Sequence, residues 1–200
     1  MHRNSRLLFT KYARDYFRPG MRVLEIGPDK IPSTYCKIVG EGSITWDTLD
    51  IADDPRLTYS GAGEYSFPVD DGAYDIVLSG QVLEHVRKIW VWIKEVARVC
   101  REDGHVIIIN PVSWPYHEAP VDCWRAFPEG MRALYDEGGL EVIHSTVESL
   151  EAPQYPETIP GKSPTHQGWR RLVAYWLLGK KGWPVERAYD TITIGRKPAG

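Results

Sequence analysis

The chain is poor in cysteine. Cys36, Cys100 and Cys123 are three scattered thiols in 200 residues, with no CxxC pair and an odd total. That argues against a disulfide framework and a zinc site, and it favours a reducing, cytoplasmic setting. No apolar run approaches the roughly 20 residues needed to span a bilayer. Residues 1–20 mix charges with apolar side chains, where a secretion signal would need an unbroken apolar stretch. Positive charge is not in excess either. The formal net charge is −3, which excludes a generally basic nucleic-acid binder but leaves room for a local basic patch. Internal repeats and low-complexity tracts are missing. What remains is 42% hydrophobic and 26% charged, the balance of an ordinary globular domain. The length suits a single domain able to bury about two-thirds of its unfolded surface.

The apolar pattern predicts alternating strands and helices. Leu8, Phe9, Tyr12, Ala13, Tyr16 and Phe17 share one face of an N-terminal helix, Ser5–Phe17, whose other face is basic. Such a helix suits an acidic partner or membrane surface, or simply packs on the domain. Strands are expected at Met21–Ile26, Ser43–Ile51, Arg56–Ser60, Tyr74–Ser79, His105–Asn110, Leu140–Val147 and Arg187–Arg196. Helices are expected from Pro32 to Val39, along Ile89, Ile93, Val96 and Cys100 with Gly104 closing it, and at Pro128–Glu137. This order predicts an α/β fold: a doubly wound, mostly parallel sheet with helices on both faces. Residues 151–186 break the rhythm with five prolines and one aromatic-faced helix, Gln167–Leu178. They read as an insertion between the last two strands, suited to a lid or a homodimer contact.

Open α/β sheets bind ligands beyond the carboxyl ends of their strands. The first strand ends Val23-Leu24-Glu25-Ile26-Gly27-Pro28-Asp29-Lys30. Gly27 fits the opening of a dinucleotide-binding turn, but Asp29 stands where a second glycine must let backbone approach a diphosphate. A carboxylate there would repel phosphate, which argues against NAD, FAD and P-loop ligands. Asp50, at the end of the second strand, has two oxygens for the two hydroxyls of a ribose, or else serves as a turn residue. Glu25 is placed to face an ammonium group or to pair with an arginine such as Arg22. A ligand with a ribose, an ammonium and no phosphate is S-adenosylmethionine.

Five stretches in order then resemble the class I S-adenosylmethionine-dependent methyltransferases: VLEIGP (Val23–Pro28), TLDI (Thr48–Ile51), FPVDDGAYDIVLSGQVLEHV (Phe67–Val86), EVARVCREDGHVIIINP (Glu95–Pro111) and WRAFPEGMRALYDEGGLEV (Trp124–Val142). Within that family the likeness is to small bacterial enzymes acting on small molecules or sugars. The resemblance implies a Rossmann-like, seven-stranded sheet whose last strand is antiparallel. It puts Glu25, Gly27 and Pro28 along the methionyl part of the cofactor. Asp50 and Ile51 would hold the ribose and one adenine face, Gly63 and Glu64 the adenine edge, and Ser79, Gly80 and Gln81 would close over the methionine. Two positions depart from the family pattern: Asp29 replaces a glycine, and Ala62 replaces an acid at the adenine edge.

Methyl transfer to an alcohol needs a base, and histidine suits neutral pH. His85 follows the fourth strand. His117 lies in the segment after the fifth, NPVSWPYHEAPVDCWRAF (Asn110–Phe127), which also holds Trp114, Tyr116, Asp122, Trp124 and Arg125. His117 and His85 are the candidate bases and Asp122 an orienting or substrate-binding acid, unless Asp122 and Arg125 merely form a structural ion pair. Trp114, Tyr116, Trp124 and Arg125 are the candidate acceptor-binding residues. The sequence shows no metal site, and only the acids around Glu118 and Asp122 leave room for a Mg²⁺-assisted variant. The expected activity is methyl transfer to oxygen on a small polar acceptor, a saccharide or natural-product intermediate. A catalytically silent cofactor-binding subunit and a nucleic-acid methyltransferase are the rival readings.

Overall fold

The computed structural model describes residues 3–40, 42–118, 120–151, 177 and 188–200. Six strands form one sheet: β1 (Arg22–Ile26), β2 (Thr45–Leu49), β3 (Tyr74–Gly80), β4 (Cys100–Pro111), β5 (Glu141–Glu148) and β6 (Asp190–Arg196). Their order is β2-β1-β3-β4-β6-β5. β2, β1, β3 and β4 run parallel, and β6 is antiparallel to both β4 and β5. The helices are α1 (Arg3–Leu8), α2 (Thr34–Val39), α3 (Ile89–Val99) and α4 (Pro128–Glu137).

The apolar runs of β3 and β4 follow from burial on both faces. Val77, Val106 and Ile108 point into one core with Trp92, Ile93 and Val96 of α3 and Met131, Leu134 and Tyr135 of α4. Ile76, Leu78, Ile107 and Ile109 point into the other, with Leu8, Phe9, Ala13 and Phe17 from the N-terminus and Tyr35 from α2. The N-terminal segment therefore packs its apolar face on the domain. It is not one regular helix: α1 passes into a π-helical turn, Phe9–Ala13, and a 3-10 turn, Arg14–Tyr16.

Three expectations need correction. The third strand, Arg56–Ser60, is reduced to one parallel bridge between Leu49 and Tyr59, so the described sheet has six strands where seven were expected. Around it the Thr48 and Thr58 hydroxyls each accept the other residue's backbone N–H at 3.1 Å, taking places a backbone ladder would fill. Gly104 does not close α3. That helix ends at Val99, and Gly104 lies inside β4, whose ladder with β3 shifts register between Tyr74 and Ile76. α2 starts at Thr34, not Pro32, because Ser33 is its cap and accepts the Cys36 N–H at 3.0 Å. The predicted helix Gln167–Leu178 and almost all of the predicted insertion lie outside the described residues. Among the described residues, no helix is long and apolar enough to cross a membrane.

Candidate active site

β1 connects leftward to β2, and the chain then returns to β3 on the other side of β1. The carboxyl ends of β1 and β3 thus flank the point where strand order reverses, the place such sheets bind ligands. A cavity of about 310 Å³ opens there, lined among others by Gly27, Asp50, Ile51, Glu64, Gln81 and His85. Phe67, Val82 and Trp92 complete an apolar wall.

Gly27 makes this opening possible. Its φ is +70°, and a Cβ at that position would overlap the Val82 side chain. Pro28 follows it, half-buried. Asp50 borders the cavity at the end of β2. Its Oδ1 also accepts the Ala52 N–H at 2.8 Å, so the turn role and the cavity position coexist. Ile51 beside it is 53% exposed. Glu64 is fixed by the Arg87 N–H at 3.0 Å and the Tyr65 hydroxyl at 2.8 Å. Gln81 has a φ of +62°, rare for a residue with a side chain. Its N–H bonds the Ile109 carbonyl, and its amide donates to Ser5 Oγ at 2.8 Å and Asp190 Oδ1 at 3.1 Å.

Other predicted cofactor residues sit outside the cavity lining. Glu25 is buried, with the Ser33 hydroxyl and the Trp46 indole N–H donating to its Oε2, the latter at 2.8 Å. Burial pushes its carboxyl up to about 7. Arg22 pairs with Asp47 at 3.7 Å rather than with Glu25. Gly63 is exposed and bridges Ser66. Gly80 is buried against the Tyr35 ring, which a Cβ would overlap. Ser79 is buried, and its hydroxyl receives and makes no hydrogen bond among the described residues.

The segment between β4 and α4 forms a second wall with no regular structure. Its centre is Asp122, whose carboxylate accepts two hydrogen bonds from the Arg125 guanidinium at 2.5 and 2.7 Å. That pairing holds the Asp122 carboxyl down at about 2. Asp122 Oδ2 also accepts the His117 backbone N–H at 2.8 Å and lies 3.5 Å from His117 Nδ1. Asp122 thus forms the ion pair with Arg125 and holds the His117 backbone, while the His117 ring bonds the Pro115 carbonyl through Nδ1 at 3.1 Å. Arg125 also reaches the Trp114 carbonyl at 3.3 Å. Trp114 is half-buried, whereas Tyr116 is 71% exposed with its hydroxyl on Glu118. Trp124 is tied to the Val86 carbonyl at 2.8 Å.

The two candidate bases meet. The rings of His85 and His117 pack edge to face with centroids 5.0 Å apart. Sequence reasoning missed the residue beneath them, Glu84. It is fully buried, neither carboxylate oxygen has a hydrogen-bond partner among the described residues, and Oε1 lies 3.8 Å from His85 Nε2. Burial pushes its carboxyl up to about 8. A glutamate in a short turn normally reads as exposed, so nothing but its adjacency to His85 pointed to it. Also missed were Asn4, Ser5 and Asp190, a buried polar cluster that Gln81 joins at the cavity edge.

These features fit an adenosyl sulfonium ligand. Asp50 and Glu64 line the cavity as acids, the apolar wall suits a purine, and the turn at Gly27 leaves room for a ligand against backbone.

Comparison with known proteins agrees. Residues 41–108 match the methyltransferase domain family. An uncharacterised methyltransferase of Mycobacteroides abscessus is 42% identical over 55 residues, covering 28% of this chain and 21% of that protein. Phosphoethanolamine N-methyltransferase 2 of Haemonchus contortus, solved with S-adenosyl-L-methionine, superposes with a TM-score of 0.61 at 14% identity, covering 98% of this chain and 52% of that one. The [4+2]-cyclase SpnF superposes with a TM-score of 0.64 at 16% identity, covering 98% and 82%. At such identities the superpositions establish the fold. The family signature lies across the middle third of the chain, on the fold that these solved structures share.

Proposed function

We propose that the chain transfers the methyl group of S-adenosylmethionine to an oxygen of a small polar acceptor such as a saccharide or natural-product intermediate. The observation that carries this reading is the meeting of two dissimilar walls. Asp50 and Glu64 line a cavity at the switch point, and its rim at His85 and Pro120 adjoins the aromatic segment that holds His117. Gly27, Asp50, Ile51, Glu64 and Gln81 would hold the cofactor, which supplies a methyl group already activated on a sulfonium.

The protein's work is then positioning, exclusion of water and removal of one proton. The Trp114, Tyr116 and Trp124 rings offer stacking surface to a sugar or an aromatic acceptor. Asp122 holds His117 by its backbone and stands near Nδ1, the arrangement of an oriented general base. Arg125 keeps Asp122 in place.

Replacing His117 with Ala should lower turnover about 10²-fold while leaving cofactor affinity, measured by calorimetric titration, unchanged. Full turnover in H117A would remove it as the base. Failure of the wild-type chain to bind S-adenosylmethionine at millimolar concentration would overturn the reading, and binding with no methyl transfer would favour the silent cofactor-binding subunit.

A further inference from the structure

We propose that Glu84, His85 and His117 form a binding site for a divalent transition-metal ion of the zinc class. Each offers one ligand atom, and the three atoms lie within 4.8 Å of one another. Ligands on a tetrahedral ion at ordinary bond lengths stand about 3.3 Å apart. Glu84 Oε1 and His85 Nε2 are 3.8 Å apart, so that pair must close by about 0.5 Å, and the widest pair lies within 4.8 Å.

Three observations point to a ligand beyond mere proximity. Glu84 is fully buried, yet among the described residues neither of its oxygens receives a hydrogen bond. A buried carboxylate in that condition lacks the compensation buried charges normally have, and a cation between it and the imidazoles would supply it. His85 Nδ1 lies 2.5 Å from the Val121 carbonyl, and His117 Nδ1 lies 3.1 Å from the Pro115 carbonyl. A carbonyl accepts only from N–H, so both rings carry their proton on Nδ1 and keep the Nε2 lone pair. Metal-binding histidines are oriented in this way. His85 also lines the main cavity, so an ion held there would face the ligand space.

The donor set selects the ion. Two imidazole nitrogens and one carboxylate favour zinc, cobalt, nickel or iron(II) over magnesium and calcium, which prefer oxygen. Three protein ligands leave a coordination position open, the hallmark of a site that handles substrate rather than one that only braces the fold.

The role of such an ion rests on the methyl-transfer reading above. An acceptor hydroxyl on the open position would lose its proton to bulk water more easily. Its oxygen pair would form the new bond to the methyl carbon, and the pair of the broken carbon–sulfur bond would stay on sulfur. His117 would then serve as a ligand, and the ion would take over the task of a free base.

The test is binding of Zn²⁺ to the full chain after chelator treatment, by calorimetry and by the visible spectrum of Co²⁺ in its place. We expect saturable one-to-one uptake and a four- or five-coordinate cobalt spectrum. Uptake should weaken at least tenfold in E84Q and in H117A and stay unchanged in H105A. No saturable uptake, or uptake indifferent to the cluster variants, would overturn the proposal. Should E84Q fail to fold, the half-exposed His117 decides the matter through H117A. Titration of S-adenosylmethionine into the same samples reports separately on the methyltransferase reading.

Discussion

The two walls of the crevice are built by different means. On the β1–β2 side, position is set by backbone: a left-handed glycine at the end of a buried strand, an aspartate closing its own turn, and a parallel ladder beneath. On the side of residues 112–127 there is no ladder. Position comes from the bidentate Asp122–Arg125 pair, from carbonyls tied to Arg125 and Trp124, and from ring contacts. A backbone-built wall fixes geometry for one invariant ligand. A wall held by side chains can be re-cut for a new acceptor without disturbing the sheet, because loops tolerate change that strands do not.

The contrast can be broken from either side. Gly27→Ala should have the largest effect. Left-handed strain and overlap with Val82 together should cost about 3–4 kcal/mol, seen as a lower Tm and loss of cofactor binding. Normal binding in that variant would mean that backbone does not set this wall. Asp122→Ala should cost about 3 kcal/mol by leaving Arg125 without its buried partner, and it should raise the acceptor KM more than it weakens cofactor binding. Equal damage to both ligands would erase the distinction between the walls. Asp50→Ala should weaken S-adenosylmethionine binding by about 1–3 kcal/mol with little change in Tm, and unchanged affinity would remove Asp50 from the site.

The smallest effect expected concerns pH and two buried carboxyls, Glu25 on β1 and Asp190 on β6. Burial raises Glu25 and Asp190 to about 7. Asp190 is faced by Asn4, Gln81 and Glu151, and Glu25 by Ser33, Trp46 and Asp29. Both acids keep their protons in the folded chain at pH values where the unfolded chain has lost them. Their stabilising share is therefore complete below about pH 4, and it fades as pH rises through about 7. A melting series should show Tm falling by a few degrees between pH 5.5 and 8, and the fall should shrink in D190N. A flat series would mean that these carboxyls are ionised throughout.

Most of the fold was legible because the buried strands are short, apolar and punctuated. The helix Pro128–Glu137 was read residue for residue from Pro128 and the two glycines after it. The third strand was misread because Thr48 and Thr58 satisfy its backbone with hydroxyls, which no apolar alternation reveals. In the candidate site, Gly27 and Asp50 were named from their place after strand ends and Ile51, Glu64 and Gln81 from the family resemblance, and all five line the cavity. Glu25 was placed on the right strand, but the side chain turns to the face of Ser33 and Trp46. Strand position gives proximity to a crevice, whereas the pleat decides which face a side chain joins. Glu84 escaped notice because its burial depends on a loop arriving from almost forty residues away, where Cys123 N–H bonds the Glu84 carbonyl.

The tie between Asn4 and Asp190 has a consequence for biosynthesis. Asn4 bonds the Glu148 carbonyl, the Leu150 N–H and the Asp190 carboxylate, and Asp190 in turn holds the Gln81 amide at the rim of the cavity. Asn4 must wait for Asp190, made 186 residues later, before that rim can close. A nascent chain released before Asp190 emerges would carry the whole family signature and still lack a finished pocket.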